Sequence, residues 1–255
     1  MKIKLREGLA VWPEFIEIFE RRNLFAHTGG IVSKSYLEKC QEVGYKTDHS
    51  LGDLIGVTSS YLVKSALVLL EIGAKLAQVL ARVANDTAEC HTMADRNIND
   101  MAYELIHHAK YSCAISLLEF ALSKPMKHPK KAYQHMLRIN LANAYKLNGN
   151  KNKAKEVLDV EDWRATQIDF QICAAAVLDD LDDIRSLINK VPVDLIAPAD
   201  YFVWPVFSGL LKDPLYVELI RETFGEQIVS IYWRSGVDEQ SPTSENLDTA
   251  IQEQA

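Results

Sequence analysis

Apolar residues along this chain recur every three to four positions, the spacing that lines one side of an α-helix. Trp12, Phe15, Ile16 and Phe19 make the first such stripe and predict a helix over residues 8–28. Pro13 suits its first turn, where a missing N–H loses no partner. Thr28-Gly29-Gly30 is a stop signal, since glycine readily takes the left-handed cap conformation. Residues 31–57 hold a short apolar piece, IVSKSYL, and then a loop bearing Gly, Asp and Ser. The strongest periodicity lies in residues 58–84. Thr58, Ser59 and Ser60 offer N-caps, and Leu62, Ala66, Leu69, Leu70, Gly73, Ala77 and Leu80 mark a wide apolar face.

Residues 85–96, NDTAECHTMADR, are polar and lose the period, which predicts a linker between two domains. An internal repeat follows. Ala102, Leu105, Ala114 and Leu118 stand at the same offsets from one another as Ala142, Tyr145, Ala154 and Leu158, about 40 residues later. Small residues at fixed places let paired helices approach closely, and large ones fill the gaps between them. Gly149, within KLNGNKNK, marks the turn of the second unit. Residues 168–190 read as a third, degraded helix pair, and residues 199–232 as one or two closing helices whose aromatics cap the array. From Trp233 to Ala255 the chain is polar and acidic, which predicts a disordered tail with room for one short helix.

Composition narrows the class. In 255 residues there are 8 Pro and 11 Gly, few breakers for this length, so long helices and an all-α fold are expected. A net charge of −7 excludes non-specific binding of polyanions by the whole molecule. Residues 1–84 are nevertheless near +2, with eleven Lys and Arg against nine Asp and Glu, which leaves room for a nucleic-acid site there. Cys40, Cys90, Cys113 and Cys173 show no CxxC spacing and read as reduced thiols of a cytoplasmic protein. The longest apolar stretch, Tyr61 to Val83, is broken by Lys64, Glu71 and Lys75, so no membrane span is expected.

One segment carries chemistry. In FERRNLFAHTGGIVSKSYL, Asn23 and His27 are four apart and share a side of the helix. Arg22 is about 140° round the axis from His27 and can swing toward it. Imidazole is the side chain suited to proton transfer near neutral pH, and arginine can hold a phosphate through two N–H groups. These parts suffice to cleave RNA without a metal: a base takes the ribose 2′-hydroxyl proton, an acid protonates the leaving oxygen, and arginine stabilises the charge between them. The spacing by itself better fits a surface helix end, with Arg22 solvated and His27 near the last carbonyls.

The segment resembles the signature of the HEPN superfamily (higher eukaryotes and prokaryotes nucleotide-binding domains). Its ribonuclease branch carries Arg, a polar residue, and then His after four to six intervening residues. Arg22, Asn23 and His27 correspond, and Gly30, Ile31, Val32, Tyr36 and Leu37 match the residues that often follow. Thr28 stands where asparagine is common. The resemblance covers residues 8–84 and implies a helical bundle that dimerises, in which arginine and histidine of two protomers form one metal-free RNA-cleaving site. Arg22 would bind the scissile phosphate, His27 would be the acid or base, and Asn23 would orient one of them. Toxins, phage-defence effectors and RNA-processing enzymes use such sites. HEPN bundles have helices ahead of this motif, whereas 21 residues precede Arg22, so an incomplete bundle is expected over residues 1–84. Its uncovered faces would pack on the repeats or on another chain. Residues 97–232, and the unit around Gly149 above all, resemble tetratricopeptide repeats, which implies a protein partner or regulator on the array.

The other polar groups suggest no cofactor. His107, His108, His128 and His135 have no Asp, Glu or Cys at regular ligand spacing. Cys90-His91 lacks a partner pair, and Asp179, Asp180, Asp182 and Asp183 read as a solvated helix start. The expectation is a dimeric metal-independent endoribonuclease or RNase-type toxin with its site at Arg22, Asn23 and His27. The competing expectation is a non-catalytic dimerising scaffold whose repeats bind a protein.

Overall fold

The computed structural model describes residues 9–84, 86–124 and 126–238. The protein is all-α: twelve α-helices and two short 3₁₀ turns stand among the described residues, and the extended backbone there forms an isolated antiparallel bridge, Ile31 with Leu54. The chain divides into two compact units, one ending at Ile98 and the other starting at Asn99.

The first unit opens with α1 (Trp12–Thr28), α2 (Lys34–Val43) and α3 (Ser59–Ala84). α1 packs on both of the others. Helix α2 arises where the sequence predicted a short apolar piece and a loop. Ser33 caps it by accepting from the Tyr36 N–H, and Tyr36 and Cys40, one turn apart, are its buried residues. The linking loops pair briefly: Val32 N–H donates to the Asp53 carbonyl at 2.8 Å and Ile55 N–H to the Gly30 carbonyl at 2.9 Å. Leu24, Val32, Tyr36, Cys40 and Ile55 form the small core that results.

The long helix α3 is turned opposite to its pattern. Every residue of its apolar face, Leu62, Ala66, Leu69, Leu70, Gly73, Ala77 and Leu80, is exposed. The buried side carries Ser65, Val68, Glu71, Ala74, Lys75, Gln78 and Arg82. From Ser65 to Ala84 every charged residue is buried and every exposed one is uncharged. The buried charges are met within the first unit: Lys75 bonds Glu71 at 2.7 Å, Arg82 bonds Asp95 at 2.5 Å, and Gln78 donates to the Ala94 carbonyl at 2.8 Å.

Residues 88–96 are helical rather than a linker, belonging to α4 (Ala88–His107), and the division between units falls inside that helix. The buried stripe of α4 is His91, Ala94, Asp95, Ile98, Ala102, Leu105 and Ile106. It keeps helical spacing, but two of its first three members are polar, so an apolar period cannot reveal it.

The second unit continues with α5 (Tyr111–Ala121), α6 (Lys131–Leu147), α7 (Lys151–Leu158), α8 (Ile168–Val177) and α9 (Leu181–Ile188). Helix α6 packs on α5, α7 and α8. Here the periodic residues are the core: Ala102, Leu105, Ala114, Leu118, Ala142, Ala154 and Leu158 are all buried. The turns α4–α5, α6–α7 and α8–α9 share one geometry. The N–H groups of Lys110, Asn150 and Asp180 reach back five residues to the carbonyls of Leu105, Tyr145 and Ala175, at 2.7, 2.8 and 3.0 Å. The residue before each donor has positive φ: Ala109, Gly149 and Asp179. This is the Schellman closure, in which a left-handed residue lets two N–H groups fold back on the last carbonyls. Only Gly149 announced itself in the sequence, because alanine and aspartate pay a steric penalty there.

Helices α10 (Asp200–Val203), α11 (Pro214–Phe224) and α12 (Glu226–Asp238) close the unit. Tyr201, Phe202, Phe207 and Tyr216 sink into the same core as α6 and α8. Residues 233–238, expected in the tail, continue α12; residues 239–255 lie outside the described residues.

Candidate functional site

Helix α1 positions the candidate residues. Pro13 and Glu14 occupy its first turn, and Gly29, with φ 63°, closes it by donating to the Leu24 carbonyl. Gly30 is needed for space as well as conformation: its φ is 88°, and a Cβ there would stand 2.9 Å from the Ile55 carbonyl oxygen. The Thr28 hydroxyl lies 2.9 Å from the Leu24 carbonyl and 2.8 Å from that of Ile31, and can donate to either. These contacts fix where the helix ends, and so where His27 stands.

Arg22 and His27 are exposed and Asn23 is half-buried. Arg22 Nη1 donates to Asn23 Oδ1 at 3.3 Å, and His27 follows Asn23 by one turn. The sequence stripe continues on this outward side: Trp12 and Phe15 stack with centroids 5.3 Å apart, Phe15 and Phe19 are 4.9 Å apart, and Phe19 is 49% exposed. The stripe Trp12, Phe15, Ile16 and Phe19 is therefore not the core face of α1, whose buried residues are Glu17 and Leu24.

A polar network fills the inward side. The Glu17 carboxylate is 1% exposed. Its Oε1 accepts from Arg21 Nε at 2.6 Å and from the Tyr36 hydroxyl at 2.9 Å, and its Oε2 accepts from the Tyr61 hydroxyl at 2.9 Å. The Arg21 guanidinium lies 4.0 Å from the Tyr61 ring centroid, over the ring face, and donates to the Gly56 carbonyl at 3.2 Å. Burial, reinforced by the Glu17 charge, pushes the Tyr36 and Tyr61 phenols far above their ordinary values. Burial opposes the Arg21 charge, but its bond to Glu17 prevails and raises its pKa. The network ties α1, α2 and α3 together with Glu17 as its single acceptor carboxylate. The sequence reading missed it, although Glu17 and Arg21 stand at ion-pair spacing within one helix.

In the second unit, Lys131, His135 and Arg138 of α6 surround Glu161. Lys131 is 2.7 Å from it, Arg138 3.7 Å and His135 3.9 Å. His135 is buried between Trp163 and Phe170, with ring centroids 5.5 and 5.2 Å away. Burial lowers its pKa despite the pull of Glu161. The aspartate run is structural: Asp179 binds Lys146 at 2.5 Å and Lys151 at 2.9 Å, and Asp180 caps α9. All four cysteines are free thiols, and only Cys90 is not buried. Among the described residues no three His, Cys, Asp or Glu gather in a way that could hold a metal ion, and no helix is long and apolar enough to cross a membrane.

Comparison with family models, with curated proteins and with solved structures returns no match for this chain.

Proposed function

We propose that the chain is a metal-independent endoribonuclease of HEPN type, acting as a toxin, a defence effector or an RNA-processing enzyme in the cytoplasm. The observation that carries the reading is the outward side of α1, where Arg22 and His27 stand open to solvent within two turns and the half-buried Asn23 lies between them. The sequence that links them to Gly30, Ile31, Val32, Tyr36 and Leu37 supports it. In this reading one histidine takes the 2′-hydroxyl proton and the oxygen attacks the adjacent phosphorus. Arg22 holds the phosphate oxygens as negative charge grows, and a proton passes to the departing 5′-oxygen. The products are a 2′,3′-cyclic phosphate and a 5′-hydroxyl. Two histidines serve best, one as base and one as acid, and two copies of the chain supply them.

The uncharged outward face of α3 supports that pairing, since a long apolar face on a soluble chain marks an interaction surface. The same face favours the second reading, a dimerising scaffold without catalysis, in which the three equivalent turns of the second unit belong to tetratricopeptide-like repeats that hold a protein partner.

Purified full chain incubated with RNA and EDTA distinguishes the two. Wild type cuts, and His27→Ala cuts roughly 10²- to 10⁴-fold more slowly. RNA left whole by wild type, or cut equally by both, ends the enzyme reading and leaves the scaffold.

A further inference from the structure

The outward side of α1 carries more than the three candidate residues. At 100° per residue, Arg22, Phe15, Phe19, Trp12, Asn23 and His27 follow one another round the helix within an arc of about 140°. No acidic residue of α1 shares that arc. Glu14 and Glu17 lie well away from it, and Glu20 flanks its edge, about 20° beyond His27 and one turn before Asn23. The aromatic ladder thus leads along the helix into an exposed guanidinium. Phe15 backs the Phe19 ring at 4.9 Å from one side, and Phe19, 49% exposed, keeps surface free one turn before Arg22.

Two kinds of partner use exposed aromatics, and charge separates them. A protein partner, such as a second copy, suits the outward face of α3, where no charge is exposed from Ser65 to Ala84. A nucleic acid suits a face that interleaves rings with a cation and keeps carboxylates off the stretch between them, because bases stack on the rings while a phosphate meets the cation. Only α1 offers the second combination beside the candidate chemistry. Building on the ribonuclease reading, we infer that the outward side of α1 is a track for single-stranded RNA, in which Phe19 stacks the base next to the phosphate held by Arg22. The substrate class is unpaired RNA. A base inside a duplex is already stacked and cannot lie on the ring. The platform tolerates any base, since every base has a π-face.

The test uses full-length His27→Ala, so that bound RNA stays whole, with a labelled twelve-nucleotide oligouridine and the same strand paired to oligoadenosine. Fluorescence polarisation reads the affinity, and light scattering reads the mass. Adding Phe19→Ala is expected to weaken single-strand binding roughly 5- to 150-fold. Phe19→Tyr keeps the ring and the affinity, and duplex binding changes in neither. Because Phe19 is exposed, both variants are expected to keep the wild-type circular dichroism. Single-strand affinity unchanged in Phe19→Ala, or lost equally in both variants, overturns the proposal. A fall in mass with Phe19→Ala overturns it too, because the ring then packs on a second copy. The ribonuclease reading fails separately: it falls if wild type leaves the oligouridine uncut, and it stands if cleavage is lost with His27→Ala yet indifferent to Phe19.

Discussion

The two units use the same apolar periodicity in opposite ways. In the second, the periodic residues Leu105, Leu118, Ala142 and Leu158 form the core, and the pattern states which side faces inward. In the first, the periodic residues of α3 and Phe19 of α1 are exposed and the rest of the α1 stripe is half-buried, while Glu17, Glu71, Lys75 and Arg82 are buried. Periodicity establishes which residues share a helix face. It establishes that the face is a core only when nothing else needs that face. The first unit is held by a small apolar core and a paired polar network, and the apolar face of α3 stays exposed.

The comparison breaks most readily at Glu17. Glu17→Ala leaves Arg21 a poorly paired cation and takes the acceptor from two buried phenols. A loss of about 3–5 kcal/mol in denaturant unfolding of the first unit is expected, the usual cost of removing one side of a buried pair. A loss below about 1 kcal/mol would mean the network is not what holds α1, α2 and α3 together. The next contrast sets two leucines of opposite fate side by side. Leu118→Ala, in the core of the second unit, should cost about 2–5 kcal/mol. Leu69→Ala, on the outward face of α3, should stay within about 0.5 kcal/mol when measured at a dilution that separates the copies. Equal costs would erase the distinction between core and surface.

These examples show how far the sequence could be read. The C-terminal end of α1 and the start of α3 were legible because Gly29 and the caps near Thr58 act locally, whereas α1 begins at Trp12, just before Pro13, and not at residue 8. Helix α2 was not, because its buried side is only Tyr36 and Cys40, set among charged residues. The start of α4 was hidden because His91 and Asp95 stand where the period expects apolar residues. Gly149 revealed one turn, whereas Ala109 and Asp179 take the same conformation against their own preference. At the candidate site, the spacing of Asn23 and His27 was legible since one helix sets it. The ladder's outward direction and the Glu17 network were not, because they depend on Tyr36 and Tyr61, far away in sequence.

The remaining predictions sharpen the second unit. The pKa of His135 is lowered in the folded state, so its contribution to stability is full above the ordinary imidazole value, about 6.5. That contribution is lost as pH falls from there through the folded value, because the unfolded chain then binds the proton more readily. Glu161, Lys131, Arg138 and Asp169 are the charged groups acting on it, and Glu161 opposes the effect most directly. Denaturant midpoints at pH 7.5 and 5.5 should fall further for wild type than for His135→Phe. A parallel fall in both would assign the pH dependence to other groups. A small gain is expected at Ala109, where φ is 54°. Ala109→Gly relieves the left-handed strain but loosens the unfolded chain, leaving a net gain of about 0.5–1 kcal/mol, readable as a raised midpoint.

The central claim is that the outward apolar face of α3 joins two copies, so that two sets of Arg22, Asn23 and His27 can meet. Light scattering of the wild-type chain beside Leu69→Asp tests it most directly. The account predicts twice the single-chain mass for wild type and the single-chain mass for Leu69→Asp, with circular dichroism unchanged. A wild-type chain of single mass, or a dimer that Leu69→Asp leaves intact, would contradict it.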